Sequence, residues 1–238
     1  QAKFVHTVAG GYMTGAIFVM AISAYYMLRR QDLQFARSSF RLAAVFGMIA
    51  TLMTIQMGDE SGYLVTKDQP TKIAAMEAIW ETHEAPAPLT LFAIPDEAAQ
   101  TNHAQIDVPW LFGLMGTRSL STEIPGIKEL TAQAEQRIIN GQKAIGVLEQ
   151  LRKDPANEQL REQFLAVRDD LGFGLLLKRY TNDVNAATPE MIKQAAADTI
   201  PSVTPMFWSF RIMVGSGLAM ALVFVLGLFY SFRNEIAE

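Results

Sequence analysis

The chain has 238 residues, a formal net charge of −4 and no cysteine. The missing thiols exclude disulfides, thiolate metal sites and cysteine nucleophiles, and the weak acidic balance offers no basic footprint for nucleic acid. Half of the residues are apolar, and they fall in three blocks, at about 4–28, 42–57 and 203–232, instead of being spread over a soluble core.

The first block, FVHTVAGGY followed by AIFVMAISAYYML, is long enough to span ~30 Å of hydrocarbon as a helix and ends at Arg29 and Arg30. It lacks the charged leading region and cleavage site of a signal peptide. The chain starts at Gln1, and is read as an internal segment of a longer protein or as a processed one. The stretch 29–41 carries Arg29, Arg30, Arg37 and Arg41 against one aspartate, so it is expected to stay in the cytoplasm. The second block, LAAVFGMIATLMTIQMG, is short but uncharged, and is read as the return span. The third then runs inward again to Arg233. Residues 58–202 are thereby placed outside.

That outer segment is too long for unstructured linker. GDESGY, at 58–63, reads as a solvated turn opening it. LTLFAI (89–94) and AQIDV (104–108), separated by PDEAAQTNH, suit a hairpin. Leu130, Ala134, Ile138, Ile145 and Leu148 recur near helical spacing and predict a helix over 127–152. Further helices are expected over 156–178 and 189–199, the last opened by Thr188, Pro189 and Glu190. Neither a phosphate-binding GxxxxGK[ST] loop nor an HExxH zinc motif is present. The fold class is mainly α: a polytopic helical membrane segment with three transmembrane helices and a large, mostly helical extramembrane loop. Its expected divisions are two spans and a short Arg-rich cytoplasmic loop at 1–57, the outer loop at 58–202, and a third span with a cytoplasmic end at 203–238.

Polar side chains inside membrane spans are costly and mark functional hypotheses. His6 lies about one turn, and Arg211 about two turns, from the outer ends of their spans, at similar depth; Met213 follows Arg211 by two residues. Imidazole and thioether are a known axial pair for haem iron. Gly10, Gly11, Gly215 and Gly217 offer room for a flat macrocycle, and Arg211 suits a propionate. The same residues serve equally as an interfacial histidine, a packing methionine, helix-packing glycines and a snorkelling arginine. Lys72 and Glu77 sit five apart in TKIAAMEAIWET, too far round a helix for an ion pair; a cation and a carboxylate at the membrane surface suit the holding and deprotonation of a hydroxyl. His83 and His103 read as solvated loop residues.

FVHTVAGGY, GDESGY, TKIAAMEAIWET, LGFGLLLKRYT and FRIMV, in this order along the whole chain, resemble subunit I of the bacterial cytochrome bd quinol oxidases, in the form with a long quinol loop. The resemblance implies a low-spin haem b held by His6 and Met213, with Arg211 as the arginine before that methionine. It places Lys72 and Glu77 in quinol oxidation, and Asp59 and Glu60 more weakly at the mouth of the same site; Trp80 and Phe92 are candidates to cover the quinone ring. The substrate would be ubiquinol or menaquinol. Further haems b and d are expected only in the full subunit, whose other spans carry their ligands, so this segment is the electron-entry half. Expected partners are membrane lipid, quinol, the remainder of its own subunit, a second large oxidase subunit and small single-span subunits, but no nucleic acid. The expected location is the bacterial inner membrane, multi-pass, with residues 58–202 periplasmic. The rival reading is a cofactor-free membrane sensor or assembly subunit with an extracytoplasmic helical domain.

Overall fold

The computed structural model describes residues 1–233; the rest of the cytoplasmic end expected at 203–238 lies outside the described residues. Three helices are long and apolar enough to cross a bilayer: α1 (Ala2–Leu28), α2 (Leu33–Asp68) and α8 (Val203–Phe232). Between them lie α3 (Pro70–Glu77), strands β1 (Leu89–Asp96) and β2 (Thr101–Val108), and helices α4 (Ile127–Lys153), α5 (Glu158–Val167), α6 (Leu171–Gly174) and α7 (Pro189–Ala197). The chain divides into two compact units. The membrane unit holds Gln1–Asp68, Met115–Arg118 and the chain from Trp208 onward; the loop unit holds Gln69–Leu114 and Ser119–Phe207.

In the membrane unit, α1 and α2 pack along a seam of small residues. Ala9, Met13, Ala16, Met20 and Ser23 form the buried stripe of α1, and Ala36, Ala43, Ala44, Gly47, Ala50 and Thr51 that of α2. Lipid tails are as apolar as these side chains, so association rests on close backbone approach and dispersion. The last turns of α8 join the seam: Phe224 is fully buried and lies where a Cβ on Gly47 would be, 2.0 Å from its ring. Arg41 donates from Nη2 to the Ser231 carbonyl at 3.2 Å, near the negative end of the α8 dipole. An apolar groove of about 450 Å³ lined by Ile17, Met20, Phe40, Val223, Leu226 and Tyr230 lies toward the other end of α1 from His6 and includes none of the candidate residues.

Two expectations change here. The Arg-rich loop shrinks to residues 29–32, with Arg30 and Asp32 at positive φ, and Arg37 and Arg41 ride on α2. GDESGY is not a turn but the continuation of α2. No proline stands between Met57 and Pro70, and Ser61 and Thr66 hydroxyls fold back onto the Met57 and Gly62 carbonyls at 2.7 and 2.9 Å. A 36-residue helix is about 54 Å long, against ~30 Å of hydrocarbon.

The loop unit contains the expected hairpin, antiparallel with Leu89 opposite Val108 and Asp96 opposite Thr101. Asp96 caps the hairpin turn by accepting from the Ala98 and Ala99 N–H groups at 3.0 and 2.9 Å. Glu97 caps the start of α8, accepting from Thr204 N–H at 2.9 Å; this bond holds its carboxyl below the usual range. α4 buries Ile127, Leu130, Ala134, Ile138, Gly141 and Ala144, the spacing of one helix face. The helix expected at 156–178 is broken instead: α5 gives way to a 3₁₀ turn at Arg168–Asp170, then to α6 and another 3₁₀ turn at Leu175–Arg179. The reason is a backbone-to-backbone crossing. A Cβ on Gly141 would stand 2.2 Å from Gly174 N and 2.3 Å from Asp170 O, so α4 and α6 meet with no side chain between them. Asp170 fastens the crossing through Arg137 Nε at 2.6 Å and Asn140 Nδ2 at 2.9 Å, and Arg137 stacks 4.0 Å above the Phe173 ring. Thr188 caps α7 through Met191 N–H.

Substituting Gly141→Val should therefore wedge α4 from α6 and lower the stability of the loop unit by about 1–3 kcal/mol, the usual scale for overpacking. Thermal unfolding of the full-length protein in detergent, followed by proteolysis within 127–200, reads this as an earlier midpoint. An unchanged midpoint would show that the crossing yields without strain.

Candidate functional site

His6 lies in the second turn of α1, half-buried against α2, and its Nδ1 is 2.9 Å from the Thr54 carbonyl oxygen. A carbonyl only accepts, so Nδ1 carries the hydrogen and donates it. That leaves the Nε2 lone pair available, the arrangement of a metal-ligating imidazole with its second nitrogen hydrogen-bonded to backbone. Gly58 makes the approach possible: a Cβ there would stand 3.1 Å from His6 Cε1 and 3.3 Å from Nδ1. Thr54 sends its own hydroxyl back to Ala50 O at 2.8 Å, so it presents only its carbonyl to the ring.

Met213 and Arg211 belong to the same unit, on α8. α8 is buried at Phe224 and Gly227 but open over 212–216, where Met213 is 51 % exposed. The thioether thus stands on an open face of the unit, and Arg211 lies with its guanidinium 5.6 Å from the Phe210 ring centroid. Beta carbons at Gly10, Gly11, Gly215 or Gly217 would meet nothing within 4 Å. The ligand types present, an imidazole bonded to backbone through Nδ1 and an accessible thioether, are types that an iron porphyrin takes.

Lys72 and Glu77 stand on α3 in the loop unit. Pro70 starts this helix, and Ala78 ends it in the left-handed conformation at φ 52°. Glu77 is 3 % exposed, in its last turn. Five residues turn a helix by about 140°, so the two side chains leave α3 on different sides. The left-handed turn after Glu77 is held by Asn102 of β2, which donates from Nδ2 to Ala78 O at 2.9 Å and accepts at Oδ1 from Trp80 Nε1 at 2.8 Å. Trp80 is buried with its indole committed to this bond, whereas Phe92 is 38 % exposed on β1. Asn102 has no sequence signal beyond its place in a polar strand; only the hairpin register brings it to the end of α3.

Asp59 and Glu60 lie on α2, and both are engaged by Arg118, whose Nη2 is 3.0 Å from Asp59 Oδ2 and 2.7 Å from Glu60 Oε2. The guanidinium also lies 4.3 Å from the Tyr63 ring centroid. The two carboxylates raise the Arg118 pKa, Glu60 first. Arg118 was not among the residues expected at the site. A signal existed: between Arg41 and Arg137 the sequence holds one arginine, Arg118, and two adjacent carboxylates need a cation.

The histidines of the loop part company. His103 is exposed and pairs with Asp96 at 3.5 Å, as expected of a solvated residue. His83 is half-buried. Its backbone pairs with Ile124 in both directions, at 2.9 and 3.0 Å, and this isolated bridge draws the ring inward until Nδ1 is buried with no hydrogen-bond partner. Burial pushes its pKa below 6.5, against a smaller upward pull from Asp107.

Three helices of spanning length and apolar composition define a helical membrane protein. The family model described as cytochrome bd terminal oxidase subunit I matches residues 1–237, and the chain belongs to that family. It is 41 % identical over 238 residues to cytochrome bd-II ubiquinol oxidase subunit 1 of Escherichia coli (strain K12), covering 100 % of this chain and 46 % of that protein. It is 27 % identical over 234 residues to cytochrome bd ubiquinol oxidase subunit 1 of Bacillus subtilis (strain 168), covering 98 % of this chain and 38 % of that protein. The bd oxidase structure from Geobacillus thermodenitrificans aligns with a TM-score of 0.49 at 18 % identity, over 98 % of this chain and 58 % of that one. The chain thus spans less than half the length of these two curated relatives.

Two outcomes are expected from this geometry. Asn102→Leu removes the acceptor of Trp80 and the donor to Ala78, leaving buried groups unpaired at about 1–3 kcal/mol; the unfolding midpoint of the loop unit should fall accordingly. For His83, whose folded pKa is depressed below 6.5, the unfolded chain binds the extra proton first as pH falls. Stability is therefore full above about pH 6.5 and lost as pH falls through the folded pKa. The midpoint measured from pH 7.5 to 5 should slope downward in the wild type and flatten in His83→Gln; equal slopes would show that His83 does not set it.

Proposed function

We propose that this chain is the electron-entry part of a respiratory quinol oxidase subunit, in which His6 and Met213 would hold the iron of a low-spin haem b. The observation that carries this reading is the His6–Thr54 bond, which orients the imidazole and leaves Nε2 as the ligating atom. A haem held by these two residues would supply a reversible one-electron couple. Met213 contributes a soft thioether from an open helix face, and Arg211, two residues earlier, supplies a positive charge for a propionate.

The quinol, ubiquinol or menaquinol, is handled by α3. Glu77 accepts a hydroxyl proton as general base and Lys72 orients the other polar atoms of the ring. Their different directions from the helix keep the carboxylate from being neutralised by its own neighbour. Asn102 fixes the turn that follows Glu77, so the base is pre-positioned instead of lying on a mobile loop. Residues 58–202 form the quinol-binding segment on the periplasmic side, where the protons are released, and the Arg-bearing turn at 29–32 faces the cytoplasm. The remainder of the subunit, a second large subunit and small single-span subunits complete the enzyme in the bacterial inner membrane. The names of the relatives, which include ubiquinol oxidase and subunit 1, support this reading.

The test is a reduced-minus-oxidised optical spectrum of the purified full-length complex. His6→Ala should lose the low-spin b-type signal and Met213→Leu should shift it toward high spin. Glu77→Gln should keep the spectrum and lower quinol turnover by about 10²-fold, the scale of one general base. A low-spin signal untouched by both ligand variants would overturn the haem assignment.

A further inference from the structure

The β1–β2 hairpin breaks its own alternation twice. Pairing runs from Leu89 opposite Val108 to Asp96 opposite Thr101, but in between Phe92 stands opposite Ile106 and Ile94 opposite His103. Leu91 is therefore extra on β1, and one residue of the pair Ala104 and Gln105 is extra on β2. Ala104 takes the strain, in the left-handed conformation at φ 49°. The two bulges cancel, so both ends of the hairpin keep one register and the effect is a local re-aiming of side chains. In a regular strand Asn102 would point away from Gln105 and Asp107, which lie three and five residues further on. The extra residue brings all three to one side. Asn102 Nδ2 donates to Gln105 Oε1 at 2.9 Å, and Gln105 Nε2 donates to Asp107 Oδ2 at 2.8 Å and Oδ1 at 3.0 Å. Thr90, buried on β1, donates its hydroxyl to Asp107 Oδ1 at 2.8 Å. This ladder lies wholly within the loop unit.

Its polarity has one solution. Trp80 Nε1 only donates and the Ala78 carbonyl only accepts, and Asn102 bonds to both. Its amide must turn Oδ1 to the indole and Nδ2 to the carbonyl. The second Nδ2 hydrogen goes to Gln105 Oε1, which sends Gln105 Nε2 toward Asp107, where both carboxyl oxygens accept. A reversed Gln105 would set donor against donor at Asn102 and acceptor against acceptor at Asp107. We infer that Gln105 and Asp107 are positioning residues for the end of α3 that carries Glu77, acting through Asn102, and that the bulge at Ala104 is what delivers Asn102 to that end. The catalytic consequence rests on the quinol reading above; the hold on α3 does not. Gln105 and Asp107 reach Glu77 only through Asn102 and the turn at Ala78, so they act on the placement of the base.

The experiment is hydrogen exchange on the full oxidase complex, paired with steady-state turnover of a short-chain ubiquinol. Exchange is read at the Ala78 and Ile79 amides, which close α3 on the Ala75 and Ala74 carbonyls. Gln105→Glu keeps the side-chain shape and the acceptor for Asn102 but sets an oxygen against Asp107. It should speed exchange at both amides by about tenfold, the scale of one hydrogen bond. It should also lower kcat by about tenfold, within the ~10²-fold cost of a 1 Å misplacement, with KM unmoved. Adding Asp107→Asn supplies a donor to that oxygen and should recover part of both losses. Exchange unchanged in Gln105→Glu overturns the ladder, and faster exchange that the second substitution does not slow overturns its polarity. Faster exchange with kcat unaltered, where Glu77→Gln lowers kcat, overturns the positioning role. A kcat unaltered in both variants overturns the quinol reading instead, and leaves the ladder as what holds the end of α3.

Discussion

The close approach of α1 and α2 is the constraint on which the membrane unit depends. Between helices in lipid there is no water to expel, so only shape holds them. Alanines on both faces bring the two backbones near enough for a side chain of one helix to use a carbonyl of the other. His6 does this at Thr54, and Gly58, with no Cβ to crowd the imidazole, leaves it room. If the seam were lined with leucines, the ring would have no second-helix acceptor and its tautomer would be unset. The orientation of the imidazole is thus a consequence of how the two helices pack.

The loop unit solves a different problem by similar means. It must hold irregular backbone in place without a large core. Gly141 and Gly174 allow α4 and α6 to touch directly, and polar side chains close the exposed edges: Asp170 through Arg137 and Asn140, Glu97 at the start of α8, Asn102 behind α3. These are local, directional bonds, and each fixes one end of an element. The turn that follows Glu77 on α3 is held by Asn102 among them.

Much of this was legible beforehand, and the reasons differ by element. The three spans, the hairpin and the long amphipathic α4 are set by hydrophobic period and length, which are local properties. The pairing of His6 and Met213 as candidates came from polar residues placed where they are costly. What could not be read were features that depend on distant partners. α2 runs through GDESGY because no proline stops it before Pro70, and acidic residues with glycine look alike in a turn and in an exposed helix. The break at 168–170 comes from a crossing with Gly141 that no window of sequence contains. His83 looks like a surface histidine until the bridge to Ile124 draws it inward, and Arg118 meets Asp59 across more than fifty residues of chain.

The unbroken length of α2 has a mechanical meaning. Thr54, which holds the imidazole, and Asp59 and Glu60, which hold Arg118, ride on one rod, five and six residues apart, or about 8–9 Å along its axis. A helix is stiff over that distance, so no hinge stands between the carboxylates that hold Arg118 and the carbonyl that orients His6. Arg118 and the imidazole of His6 thus take their positions from one short, stiff stretch of the same helix.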